Sequence, residues 1–155
     1  MDLIPLIIVA AISGGTTLLF AVLGGILNEK AGIINLGTEG IMLVGAVMAA
    51  IMFIQTQNLF LTLVVTVVAS GILGLVHAFL CITLRTNQIV SGLAITLFGS
   101  GFSAYIGKSV AGMPIPVNIP TLDITFINSI PYIGPIFSGL NMFILSSIAL
   151  SILLY

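Results

Sequence analysis

The residues equipped to act on a polar molecule are few, and they cluster. Positions 28–40 read Asn28-Glu29-Lys30-Ala31-Gly32-Ile33-Ile34-Asn35-Leu36-Gly37-Thr38-Glu39-Gly40, with apolar runs on either side. This stretch holds two of the four acids and one of the three basic residues of the chain. Asn35 and Glu39 are four apart, so a helix through both sets an amide and a carboxylate on one face. An ionised acid at mid-bilayer costs about 3 kcal/mol on insertion scales, so Glu39 must face protein, water or the interface. Three readings of Glu39 stand side by side: it fixes the start of a helix at the membrane boundary, it pairs with Lys30 or Arg85, or it lines a polar path. A second polar set, Asn87, Gln88, Ser91, Thr96 and Ser100, opens and runs along a later apolar segment. Amides and hydroxyls of this kind suit a passage for a hydroxyl-rich solute, although each taken singly reads first as a packing residue.

Other chemistries lack their residues. Cys81 is the single cysteine, so no intrachain disulfide and no cysteine metal cluster can form. His77, the single histidine, precedes Cys81 by four positions and can share its helix face; two ligands do not make a metal site, and a packed or hydrogen-bonded histidine is the better reading. Gly99-Ser100-Gly101-Phe102-Ser103-Ala104 has the spacing of a dinucleotide fingerprint, but it lies in an apolar helical pattern with no preceding strand. No P-loop, zinc motif or nucleophile–base–acid set is present, which argues against hydrolysis or any other enzymatic role. Any ATP chemistry must come from a partner. With three basic residues and no basic patch, nucleic acid is not a partner either.

The elements that must position these residues follow from composition. The 155 residues are 59% hydrophobic and 5% charged, with a mean hydropathy of +1.36. Soluble domains carry roughly 25% charged residues, so this is an integral membrane protein surrounded by lipid. A hydrocarbon core of about 30 Å needs about 20 helical residues. Five segments approach that length: Leu3 to Leu27, Ile34 to Ile54, Leu59 to Leu84, Ile89 to Gly107, and a fifth starting near Leu140 and still apolar at Tyr155. The expected fold is all-α, a polytopic bundle of about five membrane helices forming one transmembrane domain over 1–155. The N-terminus, Met1-Asp2 followed by a long apolar run, reads as a retained helix and not a secretory signal. An apolar run still open at Tyr155 suggests the front part of a longer chain.

Connections differ in kind. Asn28 to Gly32 reads as a turn at the membrane boundary, and Asn35 to Gly40 as the entry of the second helix, closely packed or locally unwound at its start. Gln55 to Asn58 and Arg85 to Gln88 are tight polar turns, which make the helices they join antiparallel neighbours. Lys108 to Gly139 holds five of the six prolines and cannot be one regular helix. It is expected to lie on the membrane surface or pack back on the bundle. Gly37 and Gly40, Gly74 in a seam with Ser70 and Ala78, and Gly92 and Gly99 allow close helix contacts. The fourth segment has two adjoining small-residue seams, Ser91-Gly99-Ser103-Gly107 and Gly92-Thr96-Ser100-Ala104, and is expected to be the centrally sandwiched helix.

The stretch from Asn28 to Met42 resembles the early signature of bacterial ABC-importer permeases, in the branch of simple-sugar and nucleoside permeases related to the ribose and branched-chain amino acid systems. Leu84-Arg85-Thr86-Asn87-Gln88-Ile89-Val90-Ser91-Gly92-Leu93-Ala94 is similar to the same branch, as is the proline-rich segment from Gly112 to Pro135 with its Ile-Pro-Tyr-Ile-Gly-Pro run. The resemblance implies a multi-pass permease of the bacterial plasma membrane that moves a polar solute unchanged. It implies three protein partners besides lipid: a second permease subunit, homologous or identical, a cytoplasmic ATP-binding subunit, and an extracytoplasmic solute-binding lipoprotein. ATP and Mg would be bound by the ATPase, and no cofactor by this chain. Such permeases are roughly twice this length, so the ATPase-docking loop is expected beyond residue 155. An ion-coupled secondary transporter with Glu39 as the coupling site is the alternative.

Lys30 and Arg85 fall on one side of the membrane and Lys108 on the other. The positive-inside rule then puts the N-terminus and the proline-rich segment outside and the Lys30 and Arg85 loops in the cytoplasm. A Lys108→Cys variant should react with an impermeant maleimide added outside intact cells; labelling restricted to inverted vesicles would reverse the orientation.

Overall fold

The computed structural model describes residues 3–114 and 142–154. Five α-helices account for most of them: α1 (Leu3–Lys30), α2 (Thr38–Thr56), α3 (Leu59–Ala78), α4 (Gln88–Gly107) and α5 (Met142–Leu154). A π-helical turn, Phe79–Thr83, continues α3 without a break. Four of these helices are long and apolar enough to cross a membrane, taking α3 together with its π turn. The fifth, α5, has 13 described residues, about 20 Å at about 1.5 Å per residue and short of a full span. The stretch from 115 to 141, including most of the proline-rich segment, lies outside the described residues.

The chain forms two compact units, residues 1–24 with 117–155 and residues 25–116. In the first, Ile144 and Ser147 of α5 are the most enclosed side chains among the described residues, at 2% and 1% exposure. Its hydroxyls return to their own helices: Ser147 Oγ donates to Ile144 O, Ser151 Oγ to Ser147 O, and Thr16 Oγ1 to Ile12 O. Such back-bonding lets a hydroxyl sit in lipid without an unmet donor.

The second unit is built around α2, which packs against α3 on one side and α4 on the other. This differs from the expectation that α4 would be the sandwiched helix. Gly40 and Gly45 are the reason, because α2 offers small residues towards both neighbours. A Cβ on Gly45 would lie 2.6 Å from Ser70 Oγ of α3. A Cβ on Gly40 would lie 2.5 Å from the Ile95 carbonyl oxygen and 2.6 Å from Thr96 Cα of α4, and one on Gly99 would strike the Gly40 carbonyl. The α2–α4 crossing is thus backbone on backbone. Within this chain α4 exposes Leu93, Leu97, Ser100, Gly101, Ala104 and Tyr105. Gly74 of α3 lies in open space, since a Cβ there meets nothing described within 4 Å.

Two boundaries depart from hydropathy. α1 continues through Asn28, Glu29 and Lys30, which are helical and not a turn. It stops at Gly32, whose φ of +78° favours glycine. There Ile33 N–H reaches Asn28 O at 2.9 Å and Gly32 N–H reaches Glu29 O at 2.9 Å, the bond pair of a Schellman stop. α2 starts at Thr38, not Ile34, so Asn35 and Glu39 do not share a helix face. The Asn35 side chain competes with the helix for its own backbone: Oδ1 accepts from Gly37 N–H at 2.9 Å.

Adding a methyl group at Gly99 should separate α2 from α4, since the atoms it meets are backbone and cannot rotate away. Gly99→Ala is expected to cost about 1–3 kcal/mol of stability and lower the thermal unfolding midpoint in detergent. Gly101→Ala, on the open face of the same helix, should leave the midpoint unchanged or raise it slightly.

Candidate functional site

The polar residues converge where α2 begins, and α2 begins inside the bundle. α2 and α3 form an antiparallel hairpin in register at Gly45 and Ser70. Seven residues lead back from Gly45 to Thr38 and thirteen lead on from Ser70 to Thr83, about 10 Å against about 19 Å of helix. The α3 arm therefore outruns α2 by about 9 Å. α4 yields a matching value. It runs parallel to α2, with Gly40 against Ile95, Thr96 and Gly99 and Val47 against Gly107. Its first residue, Gln88, lies about 13 Å before that crossing and Thr38 about 3 Å before it, so α4 outruns α2 by about 10 Å. Residues 33–37 fill the difference as a non-helical run laid along the first turns of α4.

This run is held by side chains from α4. Gln88 clamps its beginning: Oε1 accepts from Ile34 N–H at 2.8 Å, and Nε2 donates to Gly32 O at 3.3 Å. Thr96 Oγ1 donates to Leu36 O at 2.8 Å. Between them Gly92 lets the run lie directly on the helix, because a Cβ there would come 2.9 Å from Leu36 N and 3.0 Å from Gly37 N. Thr38 Oγ1 donates to Asn35 O at 3.1 Å. The clamp also sets the loop after Lys30 and the loop containing Arg85 at the same end of the unit.

The N-cap of α2 is Gly37, which has no side chain with which to cap it. Its first turn carries Glu39, exposed in this chain and without an ion pair or hydrogen bond among the described residues. The negative charge lies at the positive end of the helix dipole, a favourable placement.

Below the α2 start, α3 and α4 meet each other directly. His77, at 3% exposure, brings Nδ1 to 3.1 Å from Ser91 Oγ. Cys81, also buried, lies one turn on, with Sγ 3.7 Å from His77 Nε2 and 3.8 Å from Nδ1. Among the described residues no group of three or more His, Cys, Asp or Glu side chains gathers as metal ligands.

Of the candidates read from the sequence, Asn35, Gln88 and Thr96 come together on the 33–37 run, with Gly37 and Gly92 in the same contact. Asn87 serves as N-cap of α4, its Oδ1 accepting from Ile89 N–H at 3.0 Å and Val90 N–H at 3.2 Å. Ser91 turns to His77. Ser100 is exposed and donates to Leu97 O of its own helix, away from the cluster. Ser103, which spacing sets in a packing seam of α4, has an enclosed Oγ with no hydrogen-bond partner among the described residues. Nothing local in the sequence announces the His77–Ser91 link, which pairs positions 14 apart across a turn.

The sequence pattern of the family described as "Branched-chain amino acid transport system / permease component" matches residues 7–155. The chain belongs to this family. Within it, the chain is 41% identical over 110 residues to a putative glucose ABC transporter permease of Haloferax volcanii, covering 68% of this chain and 33% of that protein. It is 30% identical over 147 residues to a guanosine ABC transporter permease of Bacillus subtilis, covering 88% and 46%. With a nucleoside ABC transporter permease of Lactococcus lactis it shares 28% identity over 131 residues, covering 79% and 41%. The chain thus spans between a third and a half of the length of these permeases. No solved structure matches it. The matched region of this permease-family chain includes the whole clamped run.

If Gln88 holds the run, hydrogen exchange will report it. Gln88→Leu removes both bonds and Gln88→Glu keeps the acceptor for Ile34 N–H. At about 1 kcal/mol net per bond, exchange over residues 31–37 should quicken by roughly thirtyfold in the leucine variant, which loses two bonds, and by roughly fivefold in the glutamate variant, which loses one. Unchanged exchange in Gln88→Leu would mean that the clamp is not what orders the run.

Proposed function

We propose that this chain forms the front part of the permease subunit of an ATP-driven importer in the plasma membrane, carrying a nucleoside or simple sugar without chemical change. The observation that carries the reading is the recessed start of α2. Non-helical backbone within a membrane bundle is tolerated where protein encloses it or where it borders a watered path. Broken helices whose N-terminal ends face the solute are a recurring transporter device. Here the exposed Glu39 and the uncapped first turn of α2 stand beside such a run, with Asn35 at its middle. Hydroxyl-rich solutes match amide, carboxylate and backbone donors in kind, which agrees with the glucose, guanosine and nucleoside named for the relatives.

On this reading the chain is a transport subunit and not an enzyme. A separate cytoplasmic ATPase binds ATP and Mg and drives alternating access. A second permease subunit, homologous or identical, completes the membrane portion, and an external solute-binding lipoprotein delivers the solute. Asn35, Glu39, Asn87, Gln88, Ser91, Thr96 and Ser100 divide by role. Asn35 and Glu39 border the path, Gln88 and Thr96 hold its backbone wall, and Asn87 and Ser91 fix α4. Ser100 faces outward from this chain, where the second subunit or the rest of the permease can reach it.

The test is uptake by the complete transporter, full-length permease included, in proteoliposomes with ATP enclosed. Radiolabelled guanosine and glucose are expected to accumulate only with ATP and binding protein present, and Glu39→Ala should reduce uptake at least about tenfold while the ATPase still co-purifies, as loss of one charged contact does. Wild-type uptake by Glu39→Ala removes that residue from the path. Accumulation that ignores ATP and collapses with a protonophore replaces the importer by an ion-coupled carrier.

A further inference from the structure

Because α2 stops short, α3 and α4 have no helix between them over their last and first turns respectively. What joins them there is polar and buried. Among the described residues, His77 Nδ1 with Ser91 Oγ is the side-chain hydrogen bond that links α3 to α4. Ser91 and Gly92 are consecutive, and they face opposite demands. Ser91 is drawn to α3 by His77, whereas Gly92 bears the backbone of Leu36 and Gly37. Gln88, one turn before Ser91, grips Ile34 and Gly32. Rotating the first turn of α4 about its axis would move all three contacts together.

The backbone beneath His77 is unusual as well. The π turn Phe79–Thr83 begins two residues later, and Thr86 closes it by donating both N–H, at 3.1 Å, and Oγ1, at 2.9 Å, to Leu80 O. Arg85 takes φ +51°, a left-handed conformation uncommon outside glycine, to bring the chain round to the Asn87 cap. A π turn within an α-helix is rare and recurs at functional sites. The His77–Ser91 bond spans the base of this αα connection.

We propose that His77 is a positioning residue of the permease: through Ser91 it sets the rotation of the first turn of α4, and so the hold of Gln88 and Gly92 on the recessed 33–37 backbone. The role rests on the permease reading for its transport consequence, but its structural consequence stands apart from transport. Breaking the bond strands a buried partner, and a buried polar group without its bond is costly. The first turn of α4 then turns to satisfy Ser91 elsewhere, and the run from Ile33 to Gly37 loses its clamp. His77→Asn places an amide nitrogen or oxygen close to where Nδ1 stands and preserves the link.

The experiment uses the full-length permease in its transporter, with Cys81→Ala as background and one reporter cysteine at a time. Ile34→Cys reports on the run; Gln55→Cys, exposed at the far end of α2, reports on general loosening. His77→Leu and Ser91→Ala are each expected to raise maleimide labelling at position 34 by about tenfold, the equivalent of one bond of about 1.4 kcal/mol, with no change at position 55. The double variant should add little beyond either single change, and His77→Asn should return position 34 towards the background rate. Equal increases at 34 and 55, additive effects of the two single variants, or no rescue by asparagine would each overturn the assignment. Uptake measured in the same membranes separates the two ideas: labelling as expected in a protein with no ATP-driven uptake leaves the positioning role and removes the permease reading.

Discussion

A peptide group in hydrocarbon has no water to turn to, and every departure from helix in this chain must find its partners within the protein. That constraint orders the second unit. Residues 33–37 leave the helical pattern, and their bonds are answered by side chains of α4 and by the run itself. Gln88 accepts from Ile34 N–H, Thr96 donates to Leu36 O, and Asn35 folds back on Gly37. Gly92 brings the α4 backbone close enough for those short side chains to reach. The glycine contacts and the polar contacts are one arrangement: without close approach the hydroxyl of Thr96 would fall short, and without the hydroxyl the close approach would enclose an unanswered carbonyl.

Elsewhere the chain spends its polar side chains locally. Thr16, Thr56, Thr62, Thr66, Ser146, Ser147 and Ser151 donate to carbonyls three or four residues back in their own helices. These residues make a hydroxyl compatible with lipid and link nothing to anything else. The side chains that bond across sequence, Gln88, Thr96, Ser91 and His77, all gather at one end of the bundle. Sorting hydroxyls and amides by where their bond goes separates the region with distinctive structure from the rest more sharply than counting polar residues does.

Much of this was legible beforehand. Hydropathy located the helices, because 20 apolar residues in a row have few alternatives, and the motif around Asn28 to Gly40 pointed to the family. What it misplaced has a common cause. Ile34, Asn35, Leu36 and Gly37 read as helix because two of the four are apolar, and the partners that pull them out lie 54 and 60 positions away in Gln88 and Thr96. Asn28 to Lys30 read as turn because they are polar, yet the Gly32 stop falls after them. The small residues of α4 announced close contact correctly in kind, but spacing alone does not say whether a helix lies in the middle or at the side. That was decided by α2, which carries glycines towards both neighbours. His77 lay hidden for another reason: its partner sits past a π turn, where regular helical spacing no longer says which side chains coincide.

That π turn has a consequence for comparing sequences in this family. Phe79–Thr83 adds about one residue beyond a regular turn, and one residue swings everything after it by about 100° around the helix axis. Hydropathy is indifferent to such a change, since a relative lacking that residue would be equally apolar across the span. Its α4 would nevertheless start in a different phase relative to His77, and alignment by composition would pair residues that face different ways. The length of this short stretch, and not its content, is therefore the character to track when ancestry or solute range is compared across such permeases.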